Sequence, residues 1–250
     1  MAPPTIVLIT GANRGLGEGL VKRYLTKPNH VVIALNPHPT SKALSDLPQA
    51  DGSRLIVIKA DAFVERDAHD AVKELEQSHG IEHIDIVIAN AGISAVWPTV
   101  ADVKLADLKA HMEPNVYGVV ALYQATRALL KKSSREPVFA PMGSTAGMFN
   151  NQPPIPNAAY GPSKAATNWF AIRINTEDDW LNAFVMCPGW VTTELGAVGA
   201  RGLGFSEEAI AKMLIGVDES CEGMMKVLAD TSKEKHGGKM VAYNGDVIEW

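Results

Sequence analysis

Short β-branched runs alternate with helix-period segments along the whole of this chain, and that alternation restricts its fold more than any other feature. The runs fall at 5–10, 30–35, 54–59, 84–89, 137–142, 181–186 and 239–242, with helical patterns such as 68–78 and 105–130 between them. The runs are nearly continuous apolar stretches rather than clean alternations, so both faces of the strands they form should be covered. Strand and helix alternating in this way predict a parallel sheet with helices on both sides. No linker, repeat or composition break interrupts the pattern over 250 residues. The expectation is one domain, 1–250, a doubly wound seven-stranded parallel sheet of the Rossmann type.

The first strand runs into Thr10-Gly11-Ala12-Asn13-Arg14-Gly15-Leu16-Gly17, ahead of a helix. Glycines here permit a tight turn and a close approach of backbone to a pyrophosphate at a helix N-terminus. At the end of the second strand stands Leu35-Asn36-Pro37-His38, with no carboxylate to repel a 2′-phosphate, while Arg14 supplies a cation. NADP(H) is therefore favoured, with NAD(H) as the alternative. Asp61, after the third strand, suits either an adenine amino group or an N-cap. Asn90-Ala91-Gly92 ends the fourth strand, where α/β ligands bind. Pro114 should kink the helix that follows and free backbone carbonyls, making Asn115 a candidate ligand for an ordered water.

The fifth strand reaches Met142-Gly143-Ser144-Thr145, a shelf of small residues suited to a substrate oxygen. A proline-rich loop over 150–157 leads to Tyr160-Gly161-Pro162-Ser163-Lys164. If a helix starts at Tyr160, the phenol and the ammonium share a face, and the cation should favour phenolate. After the sixth strand comes Pro188-Gly189-Trp190-Val191-Thr192-Thr193, then a stretch over 196–204 with glycines and few anchors, which reads as a lid within about 194–216. Trp97, Phe149 and Trp190 suggest a bulky, partly aromatic substrate. A net charge of −5 and a pI near 5.8 give no nucleic-acid footprint. No apolar run reaches bilayer length, no motif has metal-ligand spacing, and Cys187 and Cys221 read as buried thiols of a cytoplasmic protein.

Taken together, TGxxxGxG (10–17), NAG (90–92), Asn115, Ser144, YxxxK (160–164) and PGxxxT (188–193) occur in the order found in the short-chain dehydrogenase/reductase family, which the chain resembles over its whole length. Segments such as Ala110-His111-Met112, Gln124-Ala125-Thr126-Arg127 and the terminal Trp250 are most similar to its norsolorinic acid ketoreductase branch, with carbonyl reductases nearby. The resemblance implies an NADPH-dependent ketoreductase acting on a bulky or aromatic, secondary-metabolite-like carbonyl. Tyr160 would be the proton donor, Lys164 its activator and the ribose ligand, Ser144 the partner of the carbonyl oxygen, and Asn115 a water-linked relay. It implies dinucleotide contacts from Gly11, Asn13, Arg14, Gly15, Leu16, Gly17, Asn36, Asp61, Asn90, Ala91, Gly92, Tyr160, Lys164, Pro188, Gly189, Val191 and Thr193, and a homodimer or homotetramer. An imine or alcohol substrate is the alternative within enzymes, and a dinucleotide-binding regulator the alternative outside them. Three departures stand out. Gly143 replaces a second serine, Pro114 precedes the helix Asn, and the Ser144 to Tyr160 interval is long, which leaves Thr145 as the competing hydroxyl.

Overall fold

The structure is a computed structural model that describes residues 3–38, 42–150, 152, 155–202 and 204–249, with backbone only at 42 and 43. Asn151, Pro153 and Pro154 of the proline-rich loop, Leu203 of the lid stretch and Trp250 lie outside the described residues. Six strands form one parallel ladder: β1 (Thr5–Thr10), β2 (His30–Asn36), β3 (Arg54–Lys59), β4 (Ile86–Ala89), β5 (Val138–Pro141) and β6 (Asn182–Ala183). Their order is β3-β2-β1-β4-β5-β6, so the sheet reverses direction of growth between β1 and β4. A second ladder joins β7 (Val185–Cys187), β8 (Met240–Ala242) and β9 (Val247–Ile248).

The predicted strand over 181–186 is thus divided between two ladders, and hydrogen bonding explains how. The Phe184 N–H donates to Phe139 O on one side, and the Val185 N–H donates to Lys239 O on the other. Successive N–H groups of a strand point to opposite neighbours, so one extended segment connects both ladders. The seven expected parallel strands are present in that sense. The antiparallel β9, which closes the sheet edge against β8, has no counterpart in the sequence pattern; a two-residue strand carries too little periodicity to be read.

Side chains of β1 show why both faces are covered. Ile6 and Leu8 join a core under α3 (Glu65–His79) and α5 (Gly118–Leu130), while Val7 and Ile9 join the core under α1 (Gly15–Leu25) and α9 (Val217–Ala229), to which Leu44 of the short α2 (Lys42–Ser45) also belongs. Helices α4 (Leu105–Met112) and α5 are joined by a π turn over Glu113–Tyr117. Pro114 brings no N–H to this turn, and the Gly118 N–H reaches back five residues to Glu113 O. The kink expected from proline is therefore a π-bulge, a form that recurs at functional sites. Helix α6 (Tyr160–Glu177) ends where Lys233 Nζ donates to the carbonyls of Asn175, Asp178 and Leu181 at 2.6, 3.1 and 2.8 Å. Arg127 and Tyr123 of α5 donate to the Asp178 carboxylate. Burial would raise that carboxyl's pKa, but the Arg127 and Tyr123 hydrogen bonds win and hold it below its ordinary value. The helix carrying Tyr160 is fixed firmly at its far end.

Candidate active site

A cleft of about 600 Å³ opens along the carboxyl ends of β1, β2, β3 and β4. It sits where the strand order reverses, the place at which open α/β sheets bind ligands. One end is the turn after β1. Gly11 and Gly15 have φ of +61° and +56°, which side chains other than glycine rarely adopt. Gly17 needs glycine for a different reason, since a Cβ there would lie 2.2 Å from Gly11 O and 2.8 Å from Asn90 Nδ2. Asn90 fastens the fourth strand to this turn. Its Nδ2 donates to Thr10 O at 2.9 Å and Gly11 O at 3.2 Å, and the N–H groups of Asn90 and Ala91 donate to Thr10 Oγ1 at 3.0 and 2.9 Å. Motif reading assigns Thr10 no task of its own, although its place directly before the glycines is the signal.

Thirteen of the predicted cofactor positions, from Gly11, Asn13, Arg14, Gly15 and Leu16 through Asp61, Asn90, Ala91 and Gly92 to Tyr160, Lys164, Pro188 and Thr193, face this cleft. Gly17, Asn36, Gly189 and Val191 do not line it. Asn36 is fully buried, and both its amide oxygen and its amide nitrogen lack partners among the described residues. A buried amide left wholly unpaired is rare in native proteins, and it lies at the strand end that should meet an adenosine ribose. Asp61 is not an N-cap: Val64 holds that position at α3, and the Asp61 carboxylate instead closes an Asx turn at the cleft by accepting the Phe63 N–H at 3.0 Å. Arg14 is not the free cation the sequence suggested. It forms an exposed ion pair with Glu194 at the opposite lip of the cleft. Those residues are 180 positions apart, so no local pattern could have paired them.

Tyr160 and Lys164 close the inner end of the cleft. Both are buried, at 8% and 6% exposure. They share a face of α6 as the spacing predicted, with Lys164 Nζ 5.7 Å from the Tyr160 ring centroid. The Lys164 ammonium donates to Met142 O at 2.7 Å. The expected lowering of the phenol's pKa is not found. Burial raises the Tyr160 pKa, with the Ser144 hydrogen bond acting weakly the other way. Burial also brings Lys164 down from the ordinary 10.5 to about 8. Desolvation is the largest influence on both groups, and composition and spacing do not reveal it.

This shift has a measurable consequence for stability. Between about pH 8 and 10.5 the unfolded chain holds the lysine proton and the folded protein has released it, so stability rises with pH across that window. The difference in urea midpoint between Lys164→Met and wild type should therefore shift in favour of wild type as the pH is raised from 7 to 10.5. A difference independent of pH would contradict the burial account.

Ser144 is half-buried beside Tyr160 and caps the short 3₁₀ turn Thr145–Gly147, its Oγ accepting the Ala146 N–H at 3.1 Å. Thr145 is exposed. Asn115 is fully buried, and its side chain holds backbone rather than facing the cleft. Its Oδ1 accepts the Ile93 N–H at 2.8 Å, and its Nδ2 donates to Ile93 O and to Ser163 Oγ, both at 2.9 Å. The carbonyl in the π turn is also engaged, accepting from Thr167 Oγ1 at 2.6 Å. His111 belongs to no catalytic motif, yet it is buried and supports the same loop. Ala95 N–H donates to its Nε2 at 3.0 Å, and this assigns the proton to Nδ1, 2.7 Å from Asp107 O. Cys187 and Cys221 are both buried and free, as expected.

The stretch expected to form a lid is helical. Helix α7 (Glu194–Gly202) crosses beside the cleft, and its glycines are points of contact. A Cβ at Gly196 would lie 2.0 Å from Val191 O, and one at Gly199 would lie 2.6 Å from Trp97 Cζ2. The Trp190 indole N–H donates to Gly196 O at 3.1 Å. Helix α8 (Glu207–Met213) follows and, with Trp190 and Phe205, forms a small separate apolar cluster.

Comparison with known proteins agrees with this geometry. Residues 5–203 match the family model described as short chain dehydrogenase. The chain is 39% identical to norsolorinic acid ketoreductase nor1 of Dothistroma septosporum, over 98% of this chain and 92% of the relative. It is 35% identical to norsolorinic acid ketoreductase of Aspergillus parasiticus, over 99% and 93%. Among solved structures, the NADPH-bound carbonyl reductase from chicken fatty liver superposes with a TM-score of 0.84 at 26% identity, covering all of both chains. The chain belongs to the short-chain dehydrogenase family of oxidoreductases.

Proposed function

We propose that this protein is an NADPH-dependent ketoreductase for a bulky or aromatic, secondary-metabolite-like ketone. The observation that carries the reading is the pairing of buried Tyr160 and Lys164 at the inner end of a glycine-floored cleft. The cleft suits a dinucleotide: the Gly17 position admits no side chain, and the orphaned Asn36 amide lies under its adenosine end. When bound, the nicotinamide supplies a hydride to the carbonyl carbon. Tyr160, whose raised pKa keeps the phenol protonated at neutral pH, donates that proton to the carbonyl oxygen. Ser144 donates a hydrogen bond to the same oxygen as charge develops on it. Lys164 lies beside the phenol, where its charge stabilises the phenolate left behind and its amine binds the ribose hydroxyls. Asn115 fastens the Gly92-Ile93 backbone to α6. Its carbonyl, already accepting from Thr167, has a second lone pair for a water that relays protons to Lys164. The remaining dinucleotide contacts are those of the Thr10–Gly17 turn, Asp61, Asn90 and the segment from Pro188 to Thr193.

The preference for NADPH rests on the absence of a carboxylate at Asn36 and on Arg14 becoming available when it leaves Glu194. Norsolorinic acid ketoreductases among the relatives support the aromatic substrate class. Among the described residues no helix is long and apolar enough to cross a membrane. A cytoplasmic homodimer or homotetramer, paired through the exposed Tyr117 and Trp169 of the π turn and α6, fits this reading. Oxidation of NADPH and of NADH should be compared over aromatic and aliphatic ketones. The expected result is aromatic ketone reduction at least about ten-fold faster with NADPH. A preference for NADH would overturn the cofactor reading, and cofactor binding without turnover of any ketone would favour a regulator.

A further inference from the structure

Trp97 lies between the catalytic phenol and the lid helix. Its ring centroid is 5.9 Å from that of Tyr160, with the planes tilted by 47°. On its other side, the edge of the indole that carries the nitrogen rests on two glycines of α7. A Cβ at Gly199 would lie 2.6 Å from Cζ2, and one at Gly202 would lie 3.0 Å from Cδ1 and 3.7 Å from Nε1. The glycines let the helix close onto the ring with no room to spare. Closure leaves the Trp97 N–H buried and without an acceptor among the described residues. Trp190, the neighbouring lid tryptophan, has its N–H satisfied by Gly196 O. Buried indole N–H groups ordinarily find a partner. An unpaired donor beside the residue that protonates the substrate marks the place of an acceptor that arrives from outside.

Resting on the ketoreductase reading, we propose that Trp97 is a specificity-determining residue, whose indole N–H donates to a second oxygen on a planar aromatic ketone. That oxygen is distinct from the carbonyl at Tyr160. The ring of the ketone takes the place of α7 against the indole, and α7 moves outward to admit it. A site built to donate a hydrogen bond discriminates strongly against an analogue lacking the acceptor, because the donor then stays buried and unpaired.

The test compares wild type with Trp97→Phe, which keeps an aromatic ring and removes the N–H. The probes are acetophenone and its 2′-, 3′- and 4′-methoxy derivatives, measured as kcat/KM with NADPH and as affinity by equilibrium dialysis against protein loaded with NADP⁺. Electronic effects of the methoxy group are common to both proteins and cancel. Wild type should prefer at least one methoxy isomer over acetophenone by about ten-fold in both measurements, and Trp97→Phe should reduce that ratio to about two-fold or less. A ratio kept in Trp97→Phe, or no preferred isomer in wild type, would overturn the assignment. If wild type binds these ketones and reduces none, the ketoreductase reading falls while the dialysis ratios still judge Trp97.

Discussion

Tyr160→Phe should reduce aromatic ketone turnover by about a thousand-fold or more while leaving NADPH affinity within about three-fold of wild type. The substitution removes one oxygen. The ring keeps its packing against Trp97 and its position near Lys164, so neither the fold nor the glycine turn has reason to move. What disappears is a proton held at the right place by burial. General acid catalysis by a positioned side chain contributes roughly 10²- to 10⁴-fold, and no other described residue pairs a phenol with a buried ammonium in the cleft. Loss of NADPH affinity in parallel with turnover would assign Tyr160 to binding instead.

Gly17→Ala should weaken NADPH binding by about a hundred-fold. The added methyl would sit 2.2 Å from Gly11 O, 2.9 Å from Ala12 Cα and 2.8 Å from Asn90 Nδ2. Two of these neighbours are backbone and cannot rotate away, so the turn itself must open. Opening it breaks the Asn90 hydrogen bonds to Thr10 and Gly11 and displaces the N–H groups at the start of α1 that would receive a pyrophosphate. Isothermal titration with NADPH reads this directly. Gly80→Ala is the control, since Gly80 has a φ of +64° and an added methyl there would meet nothing within 4 Å. That variant should lose about 1 kcal/mol of stability through backbone strain and retain wild-type affinity. Equal loss of affinity in both variants would mean that stability, not the cradle, governs binding.

The parts of this site that were legible in the sequence are those set by one element. TIVLIT reads as β1 because its apolar run is short and β-branched, and Tyr160 and Lys164 share a face because four residues make slightly more than one helical turn. Pro114 announced a kink for a similar reason, though not that it would be a π turn. What could not be read depends on contacts between distant segments. Helix α7 is rich in glycine and has weak intrinsic propensity, yet it is helical because those glycines fit against Val191 and Trp97. The Arg14–Glu194 pair and the orphaned Asn36 amide are likewise products of tertiary placement. The protonation of Tyr160 and Lys164 follows from burial, which motif spacing does not encode.

The most direct test of the central claim is to follow the transferred hydrogen. Wild-type protein supplied with NADPH deuterated at C4 and an aromatic ketone should give an alcohol carrying one deuterium at the former carbonyl carbon, and Tyr160→Phe should give none at a comparable rate. Alcohol formed without deuterium from either C4 face, or deuterated alcohol formed equally fast by Tyr160→Phe, would contradict the account.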